Sequence, residues 1–168
     1  MADRGMAVAA RFLDGHVVKG WTLNIRPEDT FTMVLEGASA PIWMRTSDLK
    51  AIFFIKSLPG DPSHEERKDF EERKGPGVKL WVEFTDGEEL AGRSFSYSPD
   101  KDAFYLYPTD PDSNINMAYI FRSAVKKVRT GAFAQQAARL HQEARKTPPP
   151  ATPTSPEHWE DFLETRNL

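Results

Sequence analysis

The sequence predicts a mainly β protein: two tandem small barrels of about five short antiparallel strands each, then a C-terminal helix and a proline-rich tail that ends in a short helix. Three observations carry that prediction. The chain repeats itself, reading Phe-Leu-Asp-Gly-His-Val-Val-Lys-Gly from Phe12 and Phe-Thr-Asp-Gly-Glu-Glu-Leu-Ala-Gly from Phe84, and each copy has the size of a small barrel module. Asp14-Gly15 and Asp86-Gly87 lie between apolar runs, a strong local hairpin signal because glycine accepts the positive φ of a tight turn. The runs between turn residues are short, β-rich and often alternate apolar with polar side chains.

The first copy covers residues 6–56 and the second 78–130. With Asp14-Gly15 placed over Asp86-Gly87, Phe12 falls on Phe84, Gly20 on Gly92, Leu23 on Phe95, Ile25 on Tyr97 and Pro27 on Pro99. A slip of one residue brings Phe31–Leu35 over Phe104–Pro108. After an acidic insertion, Pro108 to Asn116, Trp43-Met44 lies over Tyr119-Ile120 and Leu49–Ile52 over Val125–Val128. Gly20 and Gly92, each inside a strand pattern, predict a bulge or bend that curls the sheet.

Residues 57–77 form a charged linker bounded by Pro59-Gly60-Asp61-Pro62 and Gly75-Pro76-Gly77. With Asp61 or Ser63 as cap, Ser63 to Lys74 could form a short surface helix, but only Phe70 offers an anchor and a solvated connector is the favoured reading. Residues 131–146 predict a helix capped by Thr130, with Phe133, Ala137, Leu140 and Ala144 on one face that packs back on its own domain. Residues 147–168 begin as a semi-rigid proline-rich linker. They end in an acidic amphipathic peptide whose cap is Ser155 and whose apolar face is Trp159, Phe162 and Leu163.

The order of strand, Asp-Gly turn, strand with a glycine, polar loop, apolar strand and final aromatic-basic-apolar segment, Tyr119–Val128 in the second copy, resembles the Sm-like fold, an SH3-like small barrel, above all the Hfq type. It is also similar to bacterial domains carrying an Asp-Gly-Glu…Gly repeat. The resemblance covers both copies and implies a bacterial-type scaffold that holds single-stranded RNA. Where that family places an Asn after its third strand region, this sequence has Thr32 and Tyr105, and where the Hfq type places Lys-His it has Arg122-Ser123, or Thr46-Ser47 in the first copy. By resemblance, then, the scaffold carries over and most RNA-reading positions do not.

The sequence has no cysteine and no apolar stretch of membrane-spanning length or secretory type, so a soluble cytoplasmic protein without disulfides or thiolate sites is expected. The four histidines, His16, His64, His141 and His158, lie in four different segments and read as surface residues. No nucleophile elbow, zinc-protease motif, phosphate loop or dinucleotide fingerprint occurs. Asp110-x-Asp112-x-Asn114 opens like a calcium loop, but Ile115 stands where the turning glycine is needed and Phe121 where the closing Glu belongs. The segment reads as an exposed loop, and neither metal nor cofactor is expected.

A net charge of −3 argues against broad phosphate binding. Between Arg122 and Lys146, however, Arg122, Lys126, Lys127, Arg129, Arg139, Arg145 and Lys146 face only Glu143. The leading expectation is a non-enzymatic adaptor that meets a protein partner through Trp159, Phe162 and Leu163. The alternative is an Sm-type RNA regulator using Tyr119, Arg122, Lys126, Lys127 and Arg129. Charge and proline at strand ends suggest edge protection, hence a monomer or small homo-oligomer.

Overall fold

The computed structural model of the chain describes residues 5–70 and 75–146. Within them lie strands β1 (Met6–Phe12), β2 (Val17–Thr22), β3 (Thr30–Leu35), β4 (Pro41–Arg45), β5 (Leu49–Ile55), β6 (Val78–Phe84), β7 (Glu89–Ser94), β8 (Ala103–Pro108), β9 (Ile115–Phe121) and β10 (Val125–Thr130), followed by helix α1 (Ala132–Lys146). Single 3-10 turns, Thr46–Asp48 and Arg122–Ala124, precede β5 and β10. The ten strands form one open antiparallel sheet in the order β10-β6-β7-β8-β9-β5-β1-β2-β3-β4. The two copies therefore share one strand order and are joined where β9 pairs with β5, with Ala51 opposite Ile120 and Phe53 opposite Ala118.

The duplicated phrase builds the same hairpin twice. The amide of Phe12 donates to the His16 carbonyl at 3.0 Å and that of Phe84 to the Glu88 carbonyl at 2.8 Å. In each turn the aspartate accepts the amide two residues on, Asp14 from His16 at 3.1 Å and Asp86 from Glu88 at 2.9 Å. Gly20 and Gly92 meet a tighter demand than a bend. A Cβ on Gly20 would lie 2.0 Å from the Val34 carbonyl oxygen, and one on Gly92 2.3 Å from that of Tyr107, so only glycine lets β3 and β8 cross so near.

Two cores lie on opposite faces of the central strands. Val8, Ala10, Phe31, Met33, Met44, Leu49, Ile52, Phe54 and Phe121 close one. Leu80, Val82, Phe84, Leu90, Phe104, Leu106, Ala118 and Ile120 close the other, with Ala9, Ala51, Phe53 and Ile55 forming its far wall. Every residue of β5 is buried, because from Ala51 to Ile55 alternate side chains enter alternate cores, while Lys50 is covered by the hairpin of the second copy. At about 1.5–3 kcal/mol for each large apolar side chain, this strand is a main source of stability.

Helix α1 has the expected extent, Ala132–Lys146, but not the expected cap: Thr130 ends β10, and Gly131, at φ 56°, turns the chain into the helix. Its buried face also differs from the expected one. Ala134 and Ala138 pack against Trp81, Ala91 and Phe70, while Phe133 and Leu140 are exposed. Trp81 fills the gap from the sheet side, so small residues on the helix give the closer approach.

The charged linker contains no helix over residues 63–70. It is strapped to the β8–β9 loop instead. Ser57 and Asn114 exchange two hydrogen bonds, the Ser57 amide donating at 3.0 Å and the Asn114 amide side chain donating back at 2.9 Å. The Arg67 amide donates to Asp110 at 2.9 Å. These bonds bury Asp110 and Ser113, so a segment that reads as an exposed loop is a fastened one.

Candidate functional site

The structure divides the residues singled out by sequence. Arg122, Lys126 and Lys127 come together with Lys101 around a crevice of about 110 Å³ walled by Tyr97 and Phe104. Lys126 is also 3.3 Å from Glu83. Arg129 belongs elsewhere, to a cleft of about 400 Å³ with Trp81, Glu89, Phe133, Leu140 and His141. Tyr119 is half-buried, lies tilted at 43° against Tyr105 with centroids 4.7 Å apart and edge-on to Phe121 at 5.3 Å, and packs against the first core. Burial pushes the Tyr119 hydroxyl above its usual pKa, and the Tyr105 hydroxyl beside it adds to the rise. Its ring is committed to packing, whereas Tyr97 is the aromatic beside the basic groups. Trp159, Phe162 and Leu163 lie outside the described residues.

Sequence reasoning missed a larger hollow. β2 and β3 pair only through Gly20 opposite Leu35 and Trp21 opposite Val34, and beyond that point the chains part. The Thr22 hydroxyl donates to the Thr32 carbonyl at 2.7 Å and holds the base of the opening. The result is a cleft of about 920 Å³, lined by Trp21, Leu23, Met33, Val34, Pro41 and the 37–39 turn. Leu23 on its lining is 75% exposed, and Trp43 on the adjacent β4 edge 70%.

The second copy repeats the hydroxyl clasp, Ser94 to the Tyr105 carbonyl at 2.6 Å. There Phe95 and Tyr107 stand at the positions of Leu23 and Val34 and meet edge to face at 5.9 Å. Smaller residues at these two positions were the signal of an opening available in the aligned repeats. At these two positions the lining of the cleft differs from the second copy's side chains.

A family of unknown function (DUF6982) matches the chain over residues 5–132. The chain belongs to that family. No curated protein and no solved structure matches it. The DUF6982 region takes in both copies and the strap between them, and so contains the apolar cleft and the basic crevice, while α1 lies almost wholly beyond it.

Two polar clusters also lie inside the DUF6982 region. Lys50, with its side chain only 4% exposed, reaches from the first copy into the hairpin of the second. It donates to Asp86 at 2.6 Å and to Glu88, and its ammonium sits 4.3 Å from the Phe84 ring centre. Arg11 joins Glu88 at 2.9 Å. The Lys50 hydrogen bond, chiefly, holds the Asp86 carboxyl below its ordinary pKa.

The second cluster is His64, Glu66 and Asp110, whose nearest donor atoms all lie within 4.8 Å of one another. His64 Nε2 is 2.8 Å from Asp110 Oδ2 and 3.7 Å from Glu66 Oε2. Burial pushes the Glu66 carboxyl up, with the Ser113 hydroxyl opposing and Asp110 adding to the rise. Burial would raise Asp110 too, but the Arg67 and Asp112 amides and His64 outweigh it and its pKa is lowered. Read as a surface residue in the sequence, His64 is in fact half-buried.

Proposed function

We propose that the protein is a non-enzymatic adaptor in which two tandem Sm-like, SH3-like barrel modules form a rigid scaffold for contact with a protein partner. The observation that carries this reading is the apolar cleft of about 920 Å³ beside Leu23, of the size and lining that receive apolar anchor side chains. The two cores, one for each five-strand half, support the barrel reading. The amphipathic peptide with Trp159, Phe162 and Leu163 supplies a second contact of the same chemistry, inserted into a groove of the partner. Anchors of this type dominate interface energy, at about 2 kcal/mol or more each.

Affinity capture with the full chain tests the proposal. Leu23→Asp alters an exposed side chain and leaves the fold intact, yet it should remove partners held by the cleft. Trp159→Ala should remove those held by the tail. If the double variant keeps every partner of the wild type, the adaptor reading is wrong.

A second reading rests on the basic crevice. Lys101, Arg122, Lys126 and Lys127 beside Tyr97 offer phosphate contacts with an aromatic surface, the combination that holds single-stranded RNA. Such binding weakens steeply as salt rises, while apolar capture responds little. Capture that is lost on raising the salt, and on Lys127→Glu but not Leu23→Asp, favours RNA.

A further inference from the structure

We propose that His64, Glu66 and Asp110 form a binding site for one divalent transition-metal ion, with Zn²⁺ the best match among common cations. The site joins two segments that are fixed independently of it. On one side the strap turns at residues 61–64, where the Asp61 carbonyl accepts the His64 amide at 3.1 Å. On the other, the β8–β9 loop is held by the paired Ser57 and Asn114 bonds and by the Lys56 amide, which donates to the Asn114 carbonyl at 2.8 Å. Three side chains of two ligand types therefore converge on a frame that would not have to form around the ion, a first requirement for a site that binds without refolding.

The donors are one imidazole nitrogen and two carboxylates, a set that suits zinc or manganese better than calcium, which takes six to eight oxygens. Ligands at about 2.0–2.1 Å from a tetrahedral ion lie about 3.3 Å apart. His64 Nε2 to Asp110 Oδ2, at 2.8 Å, opens slightly to reach that spacing, and Nε2 to Glu66 Oε2, at 3.7 Å, closes slightly. Asp110 is already oriented, its side chain fully buried and held by the Arg67 amide at 2.9 Å and the Asp112 amide at 2.9 Å.

An independent observation points to a missing ligand. Glu66 Oε1 is buried and has no hydrogen-bond partner. A buried carboxylate oxygen without a partner carries a desolvation cost of about 1–3 kcal/mol or more, which a cation offsets when it is held by both Glu66 oxygens, Oε1 as well as the Oε2 that faces His64. Two carboxylates also share a single imidazole here, with Lys68 the other cation acting on Glu66. A divalent ion balances the two carboxylates, and His64 offers it one imidazole nitrogen.

Equilibrium dialysis of the full chain against Zn²⁺, Mn²⁺ and Ca²⁺ in turn, followed by metal analysis, tests the site. One Zn²⁺ per chain is expected, held more tightly than Mn²⁺, with Ca²⁺ not retained. Glu66→Gln keeps the side-chain shape and the His64–Asp110 contact, and should weaken Zn²⁺ binding at least about tenfold while the metal-free protein melts no lower than wild type. His64→Asn, checked for folding by circular dichroism, should do the same should Glu66→Gln fail to fold. Zn²⁺ held at wild-type affinity by these variants places the ion elsewhere, for example at His16 beside Asp14, and overturns the proposal. Failure of the wild type to retain Zn²⁺ overturns it equally, leaving His64 and Asp110 as a simple ion-paired clasp.

Discussion

Lys50 ties the two copies together. Its counterpart Lys126 occupies the matching register break at the start of the last strand, between Val125 and Lys127, yet lies in the open beside Glu83. Lys50 instead is roofed by Asp86, Glu88 and Phe84 of the other copy. Because both carboxylates are partly solvated, at 47% and 39% exposed, losing the ammonium costs less than breaking a fully buried pair, about 1–3 kcal/mol. Asp86 has a depressed folded pKa, so its contribution is present above the unfolded value near 3.8 and is lost as pH falls through the folded one. Thermal melts of Lys50→Met should therefore lie below those of wild type at neutral pH, and the gap should narrow on acidification below about pH 4. A constant gap would mean that Asp86 draws nothing from Lys50. The sequence marks Lys50 only as a polar residue entering an apolar run, and its partners thirty-six and thirty-eight positions away are set by the pairing of β5 with β9, which no local pattern encodes.

Strand β5 is the element on which both cores rest. Phe53 enters one core and Phe54 the other, at 4% and 2% exposure. Truncating either to Ala should cost about 3–5 kcal/mol, and urea unfolding should stay a single transition, since each core loses a wall when the strand detaches. Two separate transitions in Phe53→Ala would contradict a shared wall. Five apolar residues in a row, Ala51 to Ile55, already signal burial on two faces, whereas the hairpins and their alternation suggest two separate units. The hairpins are legible because Asp-Gly chemistry is local. Helix α1 was legible in extent but not in orientation, because periodicity favours the bulky Phe133–Leu140 stripe while Trp81 selects the alanine face. The strap and the β8–β9 loop read as solvated because their buried contacts, Asp110 with His64 and Arg67, are made between segments distant in sequence.

The whole molecule is asymmetric in what covers each copy. The second copy packs its core against Ala9, Ala51 and Phe53 of the first. On the second copy, Trp81 stands where Ala9 does in the repeat register, and it is covered by α1 and Phe70, so a further module cannot add there in the same way. Among the described residues, the first copy's end of the sheet carries the large cleft, with exposed Leu23 and Trp43 near the β4 edge. No helix of the described residues is long and apolar enough to cross a membrane, and the proposed adaptor role assigns the cleft to an apolar segment of another protein. Photocrosslinking in cells from a reactive analogue placed at position 23, with one at exposed position 36 as control, tests that role most directly. The adaptor account predicts discrete protein adducts from position 23 that survive ribonuclease and are missing from position 36. Adducts that vanish with ribonuclease, or none above the control, would contradict it.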